Sequence, residues 1–323
     1  MGISTRLTNA LNIRHPILLA PMDLVADARL ALAVSRAGGF GMIGGGYGEK
    51  SWLTRQLDDI GEERIGVGFI TWSLAKNPFL LDLVLERRPP AVMLSFGDVS
   101  PFAEKIKKTC SLLICQIQTL AQARDAMENG ADILVAQGAE AGGHGVARSA
   151  FPLVPAVIDL APEAIVVVAG GIADGRGLAA ALMLGAEGVL MGTRFYVSQE
   201  AASHPLAKEA VLRATGDRTI RGHVFDIARK NIWPEPFTGR VLCNRFSDEW
   251  AGREAELLRR QEEVSALYAE AQAKFDFDTA AVIAGEAADL IGDIPSAGDI
   301  VERVSAEAAT LLGAARDRYR IAP

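Results

Sequence analysis

Cysteine, aromatic side chains and a basic surplus are all scarce in this chain, and each shortage removes a class of function. There are 3 cysteines in 323 residues, Cys110, Cys115 and Cys243. An odd number without C-x-x-C spacing suggests neither a disulfide framework nor a zinc site, and no metal is expected. Cys110 and Cys115 flank or sit within an apolar run and read as buried small hydrophobes. Aspartate and glutamate (40) outnumber lysine and arginine (33), and the net charge of -7 leaves no cationic face for nucleic-acid phosphates. No apolar run has the length to cross a bilayer, and MGISTRLTNALNIRHPILLAPM lacks a cationic segment followed by a long apolar core. The expectation is a soluble, cytoplasmic protein without nucleic-acid or membrane partners; a homodimer stays open.

What the chain does have is apolar mass and glycine. Half of it is hydrophobic and it carries 32 glycines. Eight short apolar runs read as strands: Ile17 to Ala20, Phe40 to Gly44, Ile65 to Ile70, Ala91 to Ser95, Leu112 to Gln116, Ile133 to Ala136, Ile165 to Ala169 and Gly188 to Met191. Helical periodicity fills most gaps, at Ala28 to Ala37, Ser51 to Ile60, Phe79 to Arg87, Pro101 to Lys107, Leu120 to Glu128, Pro152 to Leu160 and Gly177 to Leu184. Strict alternation implies a parallel sheet, and eight units are the count of a closed α/β barrel, the (β/α)8 TIM barrel. A polar helix is predicted over Trp250 to Lys274 and a closing helix over Ile300 to Leu312. We therefore expect a barrel over residues 1–200 and 281–323, with a mainly helical lobe inserted at 201–280.

In such a barrel the loops leaving the C-terminal strand ends form the active site. That rule places Ala20-Pro21-Met22, Gly44 to Gly48, Gln116, Gln137 to Gly145, Ala169-Gly170-Gly171 and Gly192-Thr193 on one rim, with His15 on the opposite face. The sixth run leads into Gln137-Gly138-Ala139-Glu140-Ala141-Gly142-Gly143-His144-Gly145, a glycine-rich loop that can pass close to a flat or phosphorylated ligand and carries one histidine. Small residues after the seventh and eighth runs offer converging amides at the usual phosphate position of this fold. Gly39-Phe40-Gly41-Met42-Ile43-Gly44 matches G-x-G-x-x-G, but its glycines lie before and within a strand, so no dinucleotide site follows. His204 and His223 lack neighbouring metal-ligand partners; Asp174 reads as a helix cap; Trp233 and Phe237 fit either a pocket wall or lobe packing.

Taken in order, Ala20-Pro21-Met22, Ala37-Gly38-Gly39-Phe40-Gly41, Gln137 to Gly145, Ala169-Gly170-Gly171-Ile172-Ala173-Asp174-Gly175 and Met191-Gly192-Thr193-Arg194-Phe195 resemble the nitronate monooxygenase family over nearly the whole chain. The resemblance implies FMN, with Pro21-Met22 against the ring, Gly170-Gly171 and Gly192-Thr193 on the phosphate beside Ala169, and Gln116 and Gln137 at the polar edge. It also implies that Gly142-Gly143 let the loop close and that His144 is the catalytic histidine. Family members often carry lysine at the position of Gln116 and asparagine at that of Phe69, so this chain departs from the pattern twice. The implied reaction is oxidation of alkyl nitronates, or nitroalkanes, with O2 to a carbonyl compound and nitrite. A histidine near its ordinary pKa of about 6.5 would take the α-proton of a neutral nitroalkane. The alternatives are an FMN-dependent NAD(P)H:quinone or enoyl-thioester reductase, and a flavin-binding protein without catalysis.

Overall fold

The computed structural model describes residues 2–231 and 233–319, with side chains through residue 315. Eight strands run parallel: β1 (Ile17–Leu19), β2 (Met42–Gly44), β3 (Gly66–Ile70), β4 (Ala91–Ser95), β5 (Leu112–Ile117), β6 (Ile133–Gln137) and, after a short extra strand β7 (Gly143–Gly145), β8 (Ile165–Ala169) and β9 (Gly188–Met191). Their spatial order is β1-β9-β8-β6-β5-β4-β3-β2. The two ends of that order meet through a parallel bridge between Leu18 and Phe40, which closes the sheet into the expected barrel.

The strand runs are continuously apolar because both of their faces are covered. Leu18, Met42, Met93, Ile114, Ile133, Val135, Val167 and Leu190 fill the interior, plugged from below by Leu7 and Leu11 of the helix Arg6–Leu11. Ile17, Ile43, Val67, Val92, Leu113, Leu134, Val166 and Val189 point outward against the helices. The closing helix, Ala297–Tyr319, packs beside Ala28–Arg36 and Gly175–Met183. Contact with the latter is tight: Gly175 donates its N–H to Glu307 at 2.8 Å, and a Cβ on Gly175 would lie 2.6 Å from the Ala308 nitrogen.

Three local details differ from the sequence expectation. Cys115 is buried as expected, but Cys110 is exposed, because it turns the chain into β5 with φ 61 and so points out of the apolar run. Trp250 to Lys274 is not one helix: Arg245–Trp250, Glu254–Arg259 and Gln261–Ala273 are separate, broken at Gly252 (φ 80) and again at Arg260, where the backbone departs from helical values (φ -103, ψ 17). The inserted segment is mainly helical, yet it also holds β10 (Thr219–Gly222) and β11 (Thr238–Leu242). These pair antiparallel with each other, and β11 pairs with β7, placing Gly239 opposite His144 and Arg240 opposite Gly143. Gly-His-Gly carries no strand propensity; its extended form comes from this long-range pairing.

Candidate active site

The histidine loop is held from two sides. Arg221 of β10 donates to the carbonyls of Ala139 and Ala141 at 3.0 Å and of Thr238 at 2.5 Å, and Arg240 of β11 donates to Ala139 at 2.9 Å. From inside the barrel, Gln137 donates its Nε2 to the His144 carbonyl at 3.1 Å. Gln137 Oε1 in turn accepts from Gln116 at 3.0 Å and from Gln118 at 2.8 Å, a cluster of amides at the ends of β5 and β6. Glu140 lines the cavity, but its carboxylate is engaged behind it, accepting from the Ala150 N–H at the start of the helix Ala150–Leu160.

His144 is 8% exposed. Its Nε2 lies 2.9 Å from Oδ2 of Asp226, and Arg229 holds the other carboxylate oxygen at 2.7 Å. A carboxylate only accepts, so Nε2 carries the proton of the neutral ring and Nδ1 keeps the basic lone pair. Among the described residues Nδ1 has no hydrogen-bond partner. The imidazole lies flat on Trp233, with centroids 3.5 Å apart and planes at 4°. Trp233 donates its Nε1–H to the Tyr47 hydroxyl at 3.0 Å, tying the lobe to the loop after β2. The expectation of an ordinary histidine pKa is corrected here. Burial pushes His144 below 6.5, outweighing the opposing pull of Asp226, with Arg229 and Arg221 adding to the depression. The ring is therefore neutral near pH 7 and meets Asp226 as a hydrogen-bond donor rather than as a charged partner.

The opposite end of the site is built from glycine. Gly170 (φ 106) and Gly171 (φ 71) leave β8 in left-handed conformations, and Gly192 precedes Thr193 after β9. The segment closing over them comes from beyond the lobe: Gly285 donates to Thr193 Oγ1 at 3.0 Å and Glu286 donates to the Glu140 carbonyl at 2.9 Å. That segment passes so close to the histidine loop that a Cβ on Gly142 would lie 2.6 Å from the carbonyl carbon of Ala284. Asp174 caps the next helix, accepting from Arg176 and Gly177.

These parts surround a single cavity of about 380 Å³. Ala20, Pro21, Met22, Gln116, Gln137, Gly142, Gly143, His144, Ala169, Gly170, Gly171, Gly192 and Thr193, the rim residues singled out from the sequence, all line it. Phe69, Tyr47, Phe96, Arg229 and Trp233 wall the His144 side. Phe237 stands behind this wall, packed edge-on against Phe96 with centroids 5.3 Å apart. The other histidines lie elsewhere. His15 is buried on the far face with Nδ1 2.6 Å from Ser305 Oγ, His204 stacks on Phe275, and His223 sits 3.7 Å from Glu235. Sequence reasoning missed Asp226, Arg229, Gln118 and Gly285, and it placed Tyr47 on the rim within Gly44 to Gly48 without giving it a role. None of them carries a local motif, and Asp226 is 82 positions from the histidine it serves.

A parallel barrel whose strand-end rim gathers a buried histidine and glycine turns around one cavity has the layout of a barrel enzyme. Comparison with known proteins makes this specific. The family model "Nitronate monooxygenase" matches residues 4–63 and 77–307. A nitronate monooxygenase of Neurospora crassa is 34% identical, covering 91% of this chain and 89% of its own length. Among solved structures, FabK from Thermotoga maritima superposes with a TM-score of 0.88 at 31% identity, covering 98% of this chain and 99% of that one. A nitroalkane oxidase from Streptomyces ansochromogenes gives 0.81 at 25% identity, covering 95% and 99%. The chain belongs to the nitronate monooxygenase family and is a flavin oxidoreductase of that type.

Proposed function

We propose that the protein binds FMN across the rim cavity and oxidises alkyl nitronates, and nitroalkanes that it first deprotonates, with O2 to a carbonyl compound and nitrite. The observation that carries this reading is the sharing of one cavity by the Gly170-Gly171 and Gly192-Thr193 cradle and the unpartnered Nδ1 of His144. The cradle fits a phosphate on its own geometry. A Cβ on Gly170 would stand 3.1 Å from both the Ala141 nitrogen and the Gly138 carbonyl oxygen, so glycine there lets the turn pack directly on the histidine loop, while the Cβ position of Gly192 meets nothing closer than 3.6 Å and leaves the neighbouring turn open. Gly170, Gly171, Gly192 and Thr193 would hold the phosphate, Pro21 and Met22 the ring face, and Gln116 and Gln137 its polar edge. Gln118 Oε1, buried without a partner, marks the same amide cluster as under-satisfied.

When bound, the flavin supplies the electron acceptor between substrate and O2. The protein's part is to orient and to move one proton. Nδ1 of His144 takes the α-proton of a neutral nitroalkane, Asp226 stabilises the imidazolium so formed, and Arg229, donating to the other carboxylate oxygen, holds Asp226 in place. The Trp233 stack holds the ring plane. A nitronate, already deprotonated, bypasses the base. The purified protein is expected to be yellow and to consume O2 when given a nitronate; a colourless protein that takes up no added FMN rules the reading out. The superposition on FabK supports a second reading, an NAD(P)H-dependent reductase. Rapid anaerobic bleaching of the flavin by NADH would select it.

A further inference from the structure

Among the ionisable groups in the cavity wall that this chemistry does not use, Asp23 has no partner of its own. Asp23 follows Met22 beyond the end of β1, and its side chain lines the same cavity as His144. Among the described residues its carboxylate has no hydrogen bond and no ion pair. Its place is built into the backbone, since Gly46 turns beneath it with φ 50 and any side chain at that position would collide with the carboxylate. Three groups face it: Arg229 from the lobe, Glu49 at the start of the helix Lys50–Ile60, and the Tyr47 phenol.

Arg229 does not neutralise it. That guanidinium donates to Asp226 Oδ1 at 2.7 Å and to the Phe225 carbonyl at 3.1 Å, so its charge is matched by Asp226. With His144 neutral, the His144 end of the cavity keeps one uncompensated negative charge near pH 7. We propose that Asp23 is a specificity-determining residue that disfavours anionic ligands in this end of the cavity, so that neutral nitro compounds are bound in preference to nitronate anions. The substrate names rest on the function proposed above; the charge selection does not. Like charges a few ångströms apart at a protein surface repel by enough to change binding about tenfold or more. Burial and Glu49 raise the Asp23 carboxyl to about 6, against the opposing effect of Arg229, so the exclusion relaxes as pH falls below that value.

The test uses calorimetric titration with two unreactive probes of one shape. 1-Propanesulfonate stays anionic throughout, and 1-propanesulfonamide is its neutral counterpart. In the unaltered protein the preference for the sulfonamide is expected to be about tenfold greater at about pH 8 than at about pH 5. In both Asp23→Asn and Asp23→Ala the difference between the two pH values should shrink to the share that His144 protonation supplies, several-fold smaller than in the unaltered protein. Persistence of the full pH dependence in the variants would assign it to His144 and overturn the proposal. So would its absence from the unaltered protein, or failure of the sulfonamide to bind. Calorimetry reads whether or not flavin is bound, so a colourless protein would sink the flavin reading without deciding this one.

Discussion

Asp226 meets His144 across the junction between lobe and barrel, Oδ2 to Nε2 at 2.9 Å, and thereby decides which ring nitrogen carries the proton and which keeps the basic lone pair. Replacing the carboxylate by an amide removes that decision. Asp226→Asn is expected to lower kcat/KM for a neutral nitroalkane by about 100-fold or more, in the range of a lost general base. Turnover of the pre-formed nitronate should fall much less. Equal losses on both substrates would mean that the pair serves structure alone.

The depressed pKa of His144 fixes the direction of the acid limb. Its folded value lies below the ordinary 6.5, so the free base persists to lower pH than in an exposed histidine. The kcat/KM for a neutral nitroalkane should hold steady from pH 8 down past about 6.5 and fall only below that. A midpoint at or above the ordinary value, read from a pH profile, would contradict the burial argument.

Asp23 gives a stability prediction of the opposite sign. Its carboxyl rises from 3.8 to about 6 on folding, so the favourable contribution is fully present below 3.8 and is lost as pH rises through about 6. Above that pH the buried charge is a cost, of order 1–3 kcal/mol. Asp23→Asn should therefore raise Tm at pH 8 relative to the unaltered protein and lose that advantage near pH 4. Thermal melts at the two pH values decide it.

At the end proposed to hold the phosphate, Gly170→Ala would press a methyl group against the histidine-loop backbone, 3.1 Å from the Ala141 nitrogen, at a backbone φ of 106 that L residues rarely adopt. Strain of about 1–3 kcal/mol is expected, together with loss of bound flavin. The 450 nm absorbance of the purified protein, a wavelength typical of oxidised flavins in general, reports the second effect directly. Retention of full colour would remove Gly170 from the cofactor site.

Trp233→Ala removes both the stacking surface under His144 and the hydrogen bond to Tyr47. Truncation of a 4% exposed indole should cost about 3–5 kcal/mol if the wall cannot collapse. Chemical denaturation measures that cost, and a fall in kcat on the neutral substrate larger than on the nitronate would show that the stack orients the base.

The barrel was legible because each of its strands is a local run of three to six mostly apolar residues, several of them launched by a glycine turn, as in Asn129-Gly130-Ala131 before β6, where Gly130 takes φ 76. The rim residues were legible through the topology, since the fold assigns every loop after a strand to one face. The partners of His144 were not. Asp226 sits in Val-Phe-Asp-Ile-Ala, an unremarkable turn of helix, and nothing near it in the chain states that its carboxylate is 3% exposed against an imidazole. β7, β10 and β11 were illegible for the same reason. Gly143–Gly145 and Thr219–Gly222 are extended by cross-pairing and by the arginines that bind the loop carbonyls, not by their own composition.

Because β7 belongs at once to a barrel loop and to the lobe's sheet, the two cannot evolve or be engineered as separate parts. A barrel trimmed of residues 201–280 would retain Gly170, Gly171, Gly192 and Thr193, yet the imidazole would lose its acceptor, its flat support and the strand that straightens its backbone in one cut. Under the function proposed here, any motion that unzips Gly239 from His144 would disarm the base while leaving those glycines in place, so reactivity would be a readout of whether the insertion is docked.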